Sequence, residues 1–118
     1  MRTLKFRMYD EKYNTWVNDP LFVYPSTEIV KQGIVFQQFT GMLDKNGKEI
    51  YEGDIVKTIY EEMPIAVVQY ALEFCSYRLL TKDNKSFALR TFRYENEKPV
   101  GLIDVIEEVI GNIFENEP

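Results

Sequence analysis

Three glycines spaced six residues apart, Gly41, Gly47 and Gly53, cut a run of strand-forming residues into short pieces. Asn46-Gly47 lies between Met42-Leu43 and Ile50-Tyr51, and this dipeptide accepts the positive φ values that a tight hairpin turn requires. Gly53 supplies a second corner, after which Ile55, Lys57 and Ile59 alternate with Val56, Thr58 and Tyr60 in the period of a strand. A chain that reverses this often has to build its core from short antiparallel strands rather than from helices or long parallel ones.

The rest of the chain is punctuated in the same way. Residues Thr3 to Tyr9 place Leu4, Phe6 and Met8 on one side and Thr3, Lys5, Arg7 and Tyr9 on the other, the pattern of a half-buried strand. Asp10-Glu11-Lys12 reads as a turn into Tyr13–Val17, so the first seventeen residues form a hairpin, with Trp16 covering one face. Pro20 and Pro25 mark Asn18 to Ser26 as a connecting segment, and Ser26 or Thr27 ahead of Glu28 can start a short helical turn. From Gly33 a strand runs through Ile34, Val35, Phe36 and Phe39 and stops at Thr40-Gly41. Ile65 to Leu80 is too long for one strand and divides near Leu72-Glu73. Lys82–Lys85 is a turn, Ser86–Tyr94 a further strand, and Glu95–Pro99 closes it. In the tail, Leu102, Ile106, Val109, Ile110 and Ile113 have helical spacing. The density of Val and Ile and the Gly111-Asn112 pair suit a strand over Glu107–Phe114, and for 102–110 both readings stay open. The expectation is a mainly β single domain, residues 1–118: an N-terminal hairpin and connector over 1–32, and a barrel-like or sandwich part over 33–118. No repeat, low-complexity tract or long linker divides it.

Catalytic chemistry is mostly missing. There is no histidine, which removes the usual general base, the Ser-His-Asp arrangement and the commonest metal ligand. A single cysteine, Cys75, excludes an intramolecular disulfide and leaves zinc without its four ligands. Cys75 stands in an apolar run, which predicts a buried structural thiol. Asp44 and Asn46 resemble the start of a calcium loop, but Lys48, Glu49 and Ile55 occupy the fifth, sixth and twelfth positions, where oxygen ligands and glycine are needed. Glu61-Glu62 and Glu107-Glu108 are adjacent in strand-like sequence and therefore face opposite ways, so neither pair forms a facing acid–base dyad. None of the glycines opens a phosphate-binding loop. The sequence thus predicts a protein that is not an enzyme and holds no metal or cofactor. No apolar run approaches a membrane span, and Met1–Lys5 lacks the apolar stretch of a signal peptide, which places the protein in the cytoplasm.

What remains is surface. The net charge of −5 is unevenly spread: residues 1–50 carry seven Lys and Arg against six Asp and Glu, whereas residues 51–118 carry seven against thirteen. From Glu95 onward seven acids face one base, Lys98, a solvated acidic end that would repel a phosphate backbone or attract a basic partner. Two sets of candidate contact residues follow. In the glycine-punctuated block Asp44, Lys45, Lys48, Glu49 and Glu52 are the residues left exposed for a protein partner. Lys82, Lys85, Arg90 and Arg93, interleaved with Phe92 and Tyr94, give a nucleic-acid alternative of the kind that single-strand grooves use, and Lys5, Arg7 and Tyr9 on the first strand repeat the pattern. Unpaired strand edges at Thr3–Tyr9 and the C-terminus support a third reading, self-assembly into a homo-oligomer.

The run from Gln38-Phe39-Thr40-Gly41 through Asp44, Asn46-Gly47, Glu49, Tyr51 and Gly53-Asp54 to Val56, with Val109-Ile110-Gly111-Asn112 and Asn116 near the end and a Met-Arg-x-x-Lys-Phe-Arg opening, strongly resembles the YopX family of phage and prophage proteins. Phe39 and Phe114 depart from it, standing where the family often carries tyrosine. The resemblance implies a small β-rich protein with an SH3-like barrel, encoded by phages of Gram-positive bacteria. It carries over no catalytic residues. A non-enzymatic interaction module that binds a host or phage protein is the function most consistent with that resemblance and with the missing catalytic groups.

Overall fold

The N-terminal alternation does form a hairpin. In the computed structural model, which describes residues 5–17 and 33–115, β1 (Phe6–Asp10) pairs antiparallel with β2 (Thr15–Trp16), with Tyr9 opposite Trp16. The connecting segment expected between Asn18 and Ser26 and the start of the first strand at Thr3 lie outside the described residues. On its other side β1 pairs with β3 (Ile34–Leu43), giving a four-stranded sheet in the order β2-β1-β3-β4.

The expected stop at Thr40-Gly41 is a bulge inside β3 instead. Pairing with β4 (Glu49–Tyr51) is in place at Phe39–Tyr51 and at Leu43–Glu49, and the register shifts between them. Gly41 takes up the shift with φ +90, where a Cβ would be strained, and the Thr40 hydroxyl donates to the Ile50 carbonyl at 2.7 Å in place of a ladder bond. Asn46-Gly47 does reverse the chain, although only Gly47 has positive φ and the loop spans the whole of Asp44–Lys48. Gly53, φ +84, turns β4 into β5 (Asp54–Thr58), and a Cβ there would meet the Gln37 amide at 2.0 Å.

From β5 the chain meanders through β6 (Ile65–Ala71), β7 (Ser76–Leu80) and β8 (Ser86–Ala88), and its last strand, β11 (Ile106–Asn112), returns to the outer side of β5. The order is β11-β5-β6-β7-β8, an antiparallel sheet curled into a half-barrel. Its concave face carries the core: Val56, Ala66, Val68, Tyr77, Leu79 and Ile106 from the sheet, joined by Ile50 and Val105. Each fully buried aliphatic side chain there stabilises the fold by roughly 1.5–3 kcal/mol relative to exposure. The split of Ile65–Leu80 falls where expected, at a single 3₁₀ turn, Leu72–Phe74.

Two expectations are corrected. Cys75 is exposed, not buried: it closes the 3₁₀ turn with φ 49, and the reversal directs it away from the apolar strands that flank it in sequence. Ser86–Tyr94 is not one strand either. It breaks at Leu89, which packs against the core while its carbonyl accepts from Val105 N at 2.9 Å. Between these two residues the chain leaves the half-barrel as a separate hairpin, β9 (Arg90–Glu95) and β10 (Lys98–Asp104). For 102–110 the helical reading falls: residues 102–104 belong to β10 and 106–112 to β11, with a bend at Val105, and the strand expected to reach Phe114 ends at Asn112, where a turn follows. Among the described residues no helix is long and apolar enough to cross a membrane.

Candidate functional site

Two constellations stand out, one inward and one outward. The inward one centres on Arg7. Alternation sends Lys5, Arg7 and Tyr9 to the same side of β1, and that side turns inward: Tyr9 is buried, while Phe6 on the supposedly apolar side is more than a third exposed. Arg7 Nη2 meets the buried Asp54 carboxylate at 2.5 Å, and its Nε donates to Gln37 Oε1 at 2.8 Å. The guanidinium lies between the rings of Trp16 and Tyr51, at 4.7 and 4.6 Å from their centroids. Asp54 also accepts from Tyr51 N at 2.8 Å and from Asn112 Nδ2 at 3.3 Å. Beside it Tyr9 stacks on Phe114 at 4.4 Å, and Trp16 meets both rings edge-on and donates its indole N–H to Glu115. Among the described residues no buried side-chain nitrogen or oxygen lacks a partner, and the knot fastens β1 to β5 and β11 across the two sheets.

The five residues expected to form a contact surface in the glycine block do not act as one. Asp44 is buried. One carboxylate oxygen accepts from Asn46 N at 2.9 Å and Lys48 N at 2.8 Å, and the other from Val109 N at 2.9 Å, so the side chain ties its own loop to β11. Burial alone pushes this carboxyl up, but the N–H groups of Val109, Lys48 and Asn46 and the Lys48 charge outweigh it and leave it below the usual carboxylate range. Glu49 pairs with Lys5 at 2.7 Å, and Glu52 accepts from Gln38 N at 2.9 Å. Lys45 and Lys48 are exposed, and Lys45 approaches Glu107 at 3.7 Å. Sequence reasoning treated these residues as what was left over once the turns were explained. The structure shows that three of the five stabilise the turns and their neighbouring strands.

The expected basic patch is likewise divided. Lys82 and Lys85 belong to the β7–β8 turn, where Lys85 faces Asp83 at 3.4 Å. Arg90 and Arg93 lie on β9, three residues apart and so on opposite faces, each held by an acid of the same hairpin: Arg90 by Asp104 at 2.7 Å and Arg93 by Glu95 at 3.0 Å. The acidic stretch from Glu95 onward is therefore partly neutralised in place.

The outward constellation is the β9–β10 hairpin itself. Among the described residues it hydrogen-bonds to no other strand, and nearly all of its residues are exposed. The register places Arg90 opposite Asp104, Phe92 opposite Leu102 and Tyr94 opposite Pro99, all on one face. Phe92, Tyr94 and Leu102 are each more than half exposed, and the two rings lie 6.3 Å apart. The sequence held the signal for this arm, in Phe92 and Tyr94 alternating on one side of Asn96-Glu97 and Val100 and Leu102 on the other. The break before it also left a trace: the bulky apolar residues stand on odd positions at Phe87 and Leu89 and on even positions at Phe92 and Tyr94, so the alternation changes phase between Leu89 and Phe92.

The YopX protein family model matches residues 23–118. The chain belongs to that family. No curated protein matches it. Residues of the glycine-punctuated run are bonded to the C-terminal strand and the turn after it: Asp44 to Val109, Asp54 to Asn112, and the Gly53 carbonyl to Ile113 N at 3.0 Å. Their part in the architecture is thus plain, whereas the arm, which the matched region also covers, is joined to the rest through Leu89 and Val105.

Proposed function

We propose that this YopX-family chain is a non-enzymatic protein-interaction module, phage-encoded and acting in the cytoplasm of a bacterial host, in which an SH3-like barrel serves as scaffold and the β9–β10 arm as docking element. The barrel reading is supported by the strand order, in which β11 closes back beside β5, the first strand of the meander. The interaction reading is carried by one observation: an isolated two-stranded hairpin exposes Phe92, Tyr94 and Leu102 together on one face. A hairpin of two strands is marginally stable alone and gains stability when another surface covers its apolar side. The pairwise neutralisation of Arg90 and Arg93 favours a protein partner over a phosphate backbone, which needs uncompensated cations.

The test is capture from host lysate by the tagged full chain, with and without nuclease, alongside Phe92→Asp and Leu102→Asp variants. The proposal expects a protein retained through nuclease by the unaltered chain and lost with either variant. Retention that disappears with nuclease and depends on Lys82 and Lys85 would replace it with the nucleic-acid reading.

A further inference from the structure

The Asp44 loop carries a covalent chemistry of its own. We propose that Asn46 is a site of spontaneous deamidation, restrained by Asp44, and that its conversion unfastens the loop from β11. Of the chain's asparagines only Asn46 precedes a glycine. Gly47 has no Cβ, and open space lies where one would stand, so nothing shields its nitrogen from the carbonyl carbon of the Asn46 side chain. Both residues are exposed, so water reaches the pair. The Gly47 nitrogen gives its proton to solvent base and attacks Asn46 Cγ. A new N–C bond closes a succinimide ring, the Cγ–Nδ2 bond breaks, and the side-chain nitrogen takes a proton from solvent and leaves as ammonia. Water then adds to either ring carbonyl. Opening on one side gives aspartate. Opening on the other gives isoaspartate, in which the main chain runs through the former side chain. The only co-reactant is water.

The folded loop holds each participant back. Gly47 N donates to the Asp44 carbonyl at 3.0 Å, so the attacking nitrogen is engaged in the turn. Asn46 N and Lys48 N both donate to Asp44 Oδ1, at 2.9 and 2.8 Å, which fixes the backbone on either side of the reacting bond. Reaction therefore needs the loop to open, and Asp44, buried and bonded to Val109 N, sets how often it does. Both products undo this arrangement. Each sets a carboxylate where the Asn46 amide lies 3.5 Å from Glu108 Oε2, on a strand whose Glu107 is already engaged by Lys45 and Lys57. Isoaspartate also adds a carbon to the main chain between the N–H groups of residues 46 and 48, which must reach one Asp44 oxygen together. Losing those bonds frees the side chain that ties the loop to Val109. The change runs one way, so it records the age of the molecule.

The test is peptide mapping by mass spectrometry, after non-tryptic digestion, of the full chain aged in mildly alkaline buffer. The expected result is amide-to-acid conversion at Asn46, with both aspartate and isoaspartate formed. It should be slower in the folded chain than in the same chain in urea by about tenfold or more, the factor that about 1.4 kcal/mol of loop closure gives. Asp44→Ala should bring the folded rate towards the rate in urea. Asn46→Gln, whose longer side chain closes a less favoured ring, should stay unmodified. The aged fraction, separated by its added negative charge, should show faster amide exchange at Lys48 and Val109 than the fresh chain. Asn46 left intact in the folded chain, over a time in which it converts in urea, overturns the proposal. Equal rates in the two states, or an Asp44→Ala chain that folds and converts no faster, overturn the restraint by Asp44. Should that variant not fold, Asp44→Asn, which keeps the size of the side chain and one acceptor, takes its place. Unchanged exchange in the aged fraction overturns the unfastening.

Discussion

Arg7 shows how much one side chain decides. Removing it leaves Asp54, which is almost fully buried, facing Asn112 and Tyr51 N with no counter-charge. Arg7→Ala is expected to cost about 3–5 kcal/mol, the range for breaking a buried pair from one side, measured by urea unfolding. Lys5→Ala, which breaks the exposed Lys5–Glu49 pair two residues away, should leave the midpoint nearly unchanged. Equal effects would show that the Arg7 knot is no more than a surface contact. Asp44 gives a second prediction, on pH. Its folded-state pKa is depressed, so the stability it contributes is complete above the unfolded carboxylate value, about 3.9, and is lost as pH falls through the lower folded value. Asp44→Asn should be less stable than the unaltered chain at neutral pH, with the gap starting to narrow below about pH 4 and closing only once the pH has passed below the depressed folded-state value, where Asp44 too is uncharged. A constant gap would mean that ionisation of Asp44 is irrelevant. At this scale the sequence was read correctly for backbone freedom, since Gly47 and Gly53 both turn with positive φ. It was misread for burial at Arg7 and Asp44, because alternation alone does not say which face turns inward when a cation or carboxylate finds a complete set of partners elsewhere in the chain.

The arm is the element where local chemistry and fold are least well matched. Its two-residue turn puts both Asn96 (φ 50) and Glu97 (φ 65) in the left-handed region. Such turns are best served by Asn-Gly, and a residue with Cβ pays roughly 1–2 kcal/mol at the second position. Glu97→Gly is therefore expected to stabilise the hairpin, seen as slower amide exchange across β9 and β10 with no change in the half-barrel strands. Unchanged exchange would show that the turn does not limit the arm's opening. The dipeptide expected to make a tight two-residue turn, Asn46-Gly47, instead sits in a longer loop organised by the Asp44 side chain. Turn residues announced that the chain reverses at both places. They did not announce loop length, because this depends on Asp44 reaching Val109, a residue far away in sequence. The break at Leu89 shows in the sequence only as a change of alternation phase between Leu89 and Phe92, while the contact that fixes it, with Val105 across the arm, is not local.

Across the whole molecule, the short strands and turn signals were enough to give a mainly β architecture, but not its division of labour. The boundary at residue 32 separates a hairpin and connector from the barrel-like part of one domain without saying how the two are joined; the contacts described above join them. Arg7 reaches Asp54 and Gln37 beyond that boundary, Tyr9 stacks on Phe114, and β1 supplies the pairing partner for β3 from Ile34 to Gln38. A fragment beginning at Gly33 would keep the eight-residue core cluster but lose the counter-charge of Asp54 and expose the edge of a long strand. It is expected to unfold without a cooperative transition or to aggregate, and a synthetic peptide of residues 1–17 added in trans should restore cooperativity by supplying both the strand and the guanidinium. The same peptide carrying Arg7→Ala offers the strand alone, and comparing the two separates edge protection from charge compensation. If the fragment unfolds cooperatively at the midpoint of the full chain, the hairpin is an appendage after all, and the Arg7 knot is a surface ornament of a barrel that does not need it.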